Sequence, residues 1–202
     1  MADAKISALS AATYLDGAEE LPIAQAGANE KATVSQVIGG AYVVLQSNYT
    51  LTSQTAAQKL FNSSTNGAVT LATGIYEFDA LIYITGMSAT SGNGAFSFAG
   101  TATLARQLMI ATGVDSTTPA TAATQSGAGV VGASAFTTNT VLAATGTAMT
   151  AHIRGTIDVT ATGTVIPSMS QVTAAAAVVN AGSFIRFRRI GPTATATLGN
   201  WS

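Results

Sequence analysis

The chain has 202 residues and a formal net charge of −1 at neutral pH; only 8% of it is charged, against about 25% in ordinary soluble domains, while its apolar share of 48% is unexceptional. With no cluster of lysine and arginine to displace counterions it has no footprint for a phosphate backbone, and nucleic-acid binding is excluded. With no cysteine it has neither disulfides nor thiolate metal sites, and with no run near the roughly 18 consecutive apolar residues of a membrane span, insertion into a membrane is not expected.

A surface so poor in charge must be built from Thr, Ser, Asn, Gly and Ala, which suits permanent burial against sister copies or other partners. The length allows one main core and an appendage. Three segments are expected: an arm over 1–40, a connector over 41–55 and a main domain over 56–202.

The arm holds Asp3, Asp16, Glu19, Glu20 and Glu30 of the chain's nine acidic residues, and its apolar residues come as separated anchors: Ile6, Leu9, Leu15, Leu21 and Ile23. The opening Met1-Ala-Asp-Ala-Lys5 lacks the basic stretch and apolar run of a secretory signal, so synthesis without export is expected. Pro22 points to an extended edge segment. Gly27-Ala28-Asn29 reads as a turn, joining Leu21–Ala26 to Lys31–Val34 as a hairpin, with a helical turn at Ser35–Ile38 before Gly39-Gly40.

From 41 onward short β-like runs alternate with Gly, Asn, Ser and Thr clusters, which predicts an antiparallel sandwich or jelly roll. The strongest strand is Ile75–Ile84, where Tyr76, Phe78, Ala80, Ile82 and Ile84 form one apolar face and Glu77 and Asp79 lie on the other. Further strands are predicted at Ala95–Leu104, Ala148–Thr160, Thr164–Ala174 and Ser183–Ile190, and weaker ones at Gln58–Phe61, Ala68–Leu71, Leu108–Thr112 and Gly129–Phe136. Alanine-rich Thr173–Val179 has helical propensity but lacks caps and sits among β-rich neighbours, so no helix is expected there. Threonine suits strands through its β-branch and keeps a hydroxyl for cross-strand hydrogen bonds.

Candidate chemistry is sparse. His152 is the only histidine, on a predicted strand with no adjacent carboxylate in the sequence, and reads as structural. No serine sits in a Gly-x-Ser-x-Gly elbow, and no glycine-rich segment has phosphate-loop spacing. Glu77 and Asp79 point the same way, as an acid/base pair would, but Arg186 and Arg188 share a face on the last strong strand and would neutralise them in a cross-strand or cross-subunit ion network. No catalytic, metal or cofactor-binding residue is assigned, and no cofactor is expected. The tyrosines and Trp201 suit interface anchoring and sugar stacking equally.

Lys5-Ile-Ser-Ala-Leu-Ser-Ala-Ala-Thr-Tyr-Leu-Asp-Gly-Ala-Glu-Glu-Leu-Pro-Ile23 and Gly27-Ala-Asn-Glu-Lys-Ala-Thr-Val-Ser-Gln-Val37 resemble a leader of many tailed-bacteriophage structural proteins. The resemblance implies a virion-anchoring segment, with Ile6, Leu9, Leu15, Leu21, Pro22, Ile23, Val34 and Val37 as its anchors. Gly74-Ile-Tyr-Glu-Phe78 and Gly182-Ser-Phe-Ile-Arg-Phe-Arg-Arg189 are similar to strands of trimeric jelly rolls of the tumour necrosis factor and complement type. That similarity implies a homotrimer whose subunit interface or ion network draws on Tyr76, Glu77, Phe78, Asp79, Phe184, Arg186, Phe187 and Arg188. The expectation is a non-enzymatic virion protein made in the host cytoplasm: a head or tail fibre, a spike, or a capsid decoration fastened to capsid, neck or tail protein. The alternative is a receptor-binding tail-fibre tip that contacts host surface glycan. A glycan-degrading tailspike would need a carboxylate pair in a groove, for which the chain offers only Glu77 and Asp79.

Overall fold

The computed structural model describes residues 20–25, 28–33, 40–89, 94–115, 124–133, 140–142 and 147–193, with side chains described over 40–89, 94–114 and 147–193. The chain divides into two compact units, Met1–Gly40 and Ala41–Ser202.

In the first unit β1 (Glu20–Gln25) and β2 (Ala28–Thr33) pair antiparallel, with Leu21 opposite Ala32, Pro22 opposite Lys31 and Ile23 opposite Glu30. Pairing continues to Gln25 and Ala28, so Ala28 and Asn29, expected in the turn, lie in the second strand instead. Each strand of a two-stranded ribbon keeps one open edge, the setting that tolerates a residue without an N–H. Ile6, Leu9, Leu15, Val34, Val37 and the expected turn at Ser35–Ile38 lie outside the described residues.

The strands that follow are β3 (Gly40–Val44), β4 (Tyr49–Thr50), β5 (Gln58–Lys59), β6 (Val69–Leu71), β7 (Gly74–Thr85), β8 (Gly94–Gly100), β9 (Thr103–Asp115), β10 (Thr124–Ala133), β11 (Thr140–Leu142), β12 (Met149–Ala161), β13 (Gly163–Ser170), β14 (Val178–Val179) and β15 (Phe184–Gly191). The larger sheet runs β10-β9-β12-β7-β14-β4, with β15 also joining β7 to β3; the smaller runs β11-β8-β13-β5, with β6 also on β13. Their central paths, β3-β15-β7-β12 and β6-β13-β8-β11, are the two four-stranded layers of an antiparallel jelly roll, and the β9-β10 hairpin widens the larger layer beyond β12. The fold is mainly β, and no helix occurs among the described residues.

Three expectations are corrected. Residues 41–55 are no connector: β3 pairs with β15, β4 pairs with β14, and Leu45 and Leu51 are buried in the core. The expected strand Ala95–Leu104 is two strands, because the chain leaves the smaller sheet at Gly100 and enters the larger at Thr103. Gly100 makes the crossing at φ 135°, where a Cβ would stand 2.0 Å from the Thr164 carbonyl oxygen. The strand expected to reach Ala174 ends at Ser170; beyond it the chain makes bends, an isolated bridge from Ala175 to Gln54, and β14, with no helix.

The core lies between the layers. The even residues of β7, Tyr76, Phe78, Ala80, Ile82 and Ile84, are all buried, as the alternation of a half-buried strand requires. Phe78 meets Phe98 of the opposite sheet edge-on at 4.9 Å between ring centroids, and Phe187 lies 6.1 Å and 5.9 Å from the two. Edge-to-face aromatic pairs of this kind add about 0.5–1.5 kcal/mol beyond the area they bury.

One irregularity decides what the larger sheet turns outward. Leu104 pairs with Val159 and Arg106 with the adjacent Asp158, so Ala105 is an extra residue in β9. The insertion reverses the alternation after it. Gln107, Met109 and Ala111 face the core, while Leu108, Ile110, Thr112 and Val114 face out.

Candidate functional site

The outer face of the larger sheet gathers the chemistry of this molecule. Register places side chains there in rows across four strands. Thr112, His152, Leu81 and Phe184 form one row; Ile110, Arg154, Asp79 and Arg186 the next; Leu108, Thr156, Glu77 and Arg188 the third.

The centre of this face is ionic. Asp79 accepts from His152 Nε2 at 2.6 Å through Oδ1 and pairs with Arg186 Nη2 at 3.3 Å through Oδ2. Glu77 Oε1 holds Arg188 Nε at 2.7 Å. The arginines reach across from β15 because Arg186 stands opposite Asp79 and Arg188 opposite Glu77 in register. These side chains are half-exposed, so each pair contributes within the roughly 0–1 kcal/mol of surface ion pairs. Arg154, also opposite Asp79 but from β12, is exposed and makes no ion pair among the described residues.

Apolar side chains flank the ions. Nine large apolar side chains are exposed among the described residues, and eight of them, Tyr42, Val44, Leu81, Tyr83, Leu108, Ile110, Val114 and Ile190, belong to strands of this one sheet. Half-buried Phe184, opposite Leu81, extends the patch. Val172, between β13 and β14, is the one that lies elsewhere.

The residues expected at a subunit interface therefore separate. Glu77, Asp79, Phe184, Arg186 and Arg188 lie on the outer face, but Tyr76, Phe78 and Phe187 are buried in the core of a single chain and are unavailable to a neighbour. Tyr76 donates to the Ala72 carbonyl at 3.0 Å, and burial raises its phenol above the ordinary value of 10.0, against the opposing effects of Arg189 and that hydrogen bond. Leu21, Pro22 and Ile23 lie on β1 of the first unit.

Sequence reasoning missed four features here. His152 has a carboxylate against it, brought from 73 residues away by the β7–β12 pairing. The outward apolar stripe of β9 was hidden by the inserted Ala105. Arg154 could have been placed only by knowing which strands neighbour β12. Leu81 and Tyr83 carried a legible signal: an apolar continuation of the Glu77–Asp79 face means that both sides of β7 are meant to be covered.

Both carboxylates are paired with arginine on the outer face of the sheet, Asp79 with Arg186 and Glu77 with Arg188, and His152 bonds Asp79. Among the described residues no three His, Asp or Glu side chains gather as metal ligands would. A cleft of about 160 Å³ opens at the sandwich edge between β3 and β6, lined by Tyr42, Val43, Val69, Pro167, Ile185 and Phe187, and the Tyr42 phenol is its only ionisable group. No family model, curated protein or solved structure matches this chain.

Proposed function

We propose that the protein is a non-enzymatic structural component of a tailed-bacteriophage particle, a homotrimeric fibre, spike or head decoration held to the virion by its N-terminal segment. The observation that carries this reading is the exposed apolar face of the larger sheet on a chain with 8% charged residues. Large apolar side chains gathered on one exposed face mark interaction sites, and a charge-poor chain has little else to keep it dispersed. The phage assignment rests on the leader-like sequence from Lys5 to Val37.

Attachment follows from the first unit's ribbon. β1 and β2 leave their outer edges without partners in the described sheet, so a strand of capsid, neck or tail protein can add to them through main-chain hydrogen bonds. Joining three such arms on one trimer raises the effective concentration of the second and third contacts, which makes attachment tight without a large single interface. The deciding experiment is an image of the intact particle. Density for three copies with residues 1–40 against the shell or tail supports the reading, and absence of the chain from purified particles overturns it.

A second reading, a receptor-binding fibre tip contacting host surface glycan, draws on Tyr42, which is 79% exposed at the rim of the edge cleft. A ring with an apolar face and a hydrogen-bonding end is the platform on which sugars stack. Loss of host adsorption in Tyr42→Ala particles of normal heat resistance would favour it.

A further inference from the structure

Resting on the reading of the protein as an assembly of sister copies, we infer that the copies meet through the outer face of the larger sheet, with Arg154 of one copy paired to Glu77 of the next. Three observations lead there.

The first is the placement of apolar surface. Leu108, Ile110 and Val114 of β9 lie on one side of the ion cluster, and Leu81, Tyr83 and Phe184 on the other. A surface with apolar patches at both margins and ions at its centre has the mixed character of a protein interface, in which apolar anchors supply affinity and charges fix register.

The second is the register of β9. The inserted Ala105 puts Gln107 fully inside the core, where neither its amide nitrogen nor its carbonyl oxygen finds a hydrogen-bond partner, and puts Leu108, Ile110 and Val114 outside. The opposite register would bury Leu108, Ile110 and Val114 and hydrate the glutamine, while turning Met109 outward and Arg106 inward. The observed register leaves a lone copy with an unsatisfied amide inside and three large apolar side chains outside. The register makes physical sense when the outward stripe is covered by another chain, because that burial offsets the unsatisfied amide.

The third is charge complementarity, which identifies the cover as a second copy. Arg154 is exposed without an ion pair among the described residues, and the Glu77 side chain stays 44% exposed while it holds Arg188. One face therefore presents a guanidinium without an ion pair among the described residues and a carboxylate open to solvent. A sister copy supplies both complements at once.

The test uses the full chain and reads assembly by native mass spectrometry, with circular dichroism to confirm folding. Ile110→Glu and Leu81→Glu should each shift the population to folded single copies, whereas Val172→Glu, a charge placed on an exposed apolar residue off this face, should leave assembly intact. Arg154→Glu and Glu77→Arg should each weaken assembly at least tenfold, and the two substitutions combined in one chain should restore it through the reversed pair between copies. Retained assembly in Ile110→Glu and Leu81→Glu, or its loss in Val172→Glu, overturns the assignment of the face. Failure of the double variant to recover while Ile110→Glu dissociates overturns the Arg154–Glu77 pair. A wild-type chain that is a single copy throughout overturns the assembly reading itself.

Discussion

The two sheets of the jelly roll turn different surfaces away from their common core. The smaller sheet presents Thr70 of β6 and Thr164, Ile166 and Ser170 of β13, and among the residues whose side chains are described none of the exposed large apolar ones belongs to its strands. Its polar groups are self-satisfied at the sheet margin, where Thr101 and Thr164 exchange backbone-to-hydroxyl hydrogen bonds of 3.1 and 3.0 Å. The larger sheet presents Leu81, Tyr83, Leu108, Ile110 and Val114 around an ion cluster. One composition thus produces a surface finished for water and a surface left apolar. Low overall charge is a property of the whole chain, but the need for a partner is localised on one face.

The largest effect that can break this comparison lies beneath both faces. Phe78→Ala removes the ring that joins the sheets through Phe98 and Phe187 and should cost about 3–5 kcal/mol, read as the loss of cooperative unfolding at ordinary temperature or a large fall in midpoint. Gln107→Met sharpens the comparison in the opposite direction. It replaces an unsatisfied buried amide by an apolar side chain of similar length, and chemical denaturation should show a gain of about 1 kcal/mol. A loss instead would mean that the amide is satisfied in solution.

Smaller effects belong to the outer face. Asp79→Asn removes the charge that holds His152 and Arg186, and since both partners are substantially exposed the cost should be no more than about 1 kcal/mol and should shrink in high salt. Tyr76 gives the mildest change. Burial raises its folded-state pKa above 10.0, so its contribution is fully present below that value and is lost as pH climbs through the higher folded one. Stability should therefore decline at alkaline pH above about 10 and decline less steeply in Tyr76→Phe, measured by urea midpoints across the range.

How legible all this was in the sequence differs strand by strand. In β7 the period of two assigned the core face and the Glu77–Asp79 face correctly, because nothing interrupts a strand of 12 residues. In β9 the same rule failed. A single inserted residue reverses the faces, and Ala105 carries no turn or glycine signature that would mark it. The β3 segment was taken for a connector because its five residues make no clear pattern alone; pairing with β15, more than 130 positions on, gives it a place. The Asp79–His152 contact was hidden for the same reason, since a contact between distant strands depends on sheet order, which local pattern does not encode.

Sedimentation equilibrium of the full chain over a hundredfold range of concentration tests the central claim most directly. The account requires an assembled species, at three times the 20.1 kDa chain mass for the trimer, persisting into the low micromolar range. A well-folded species at the mass of one chain, unchanged up to the highest concentration, would contradict it.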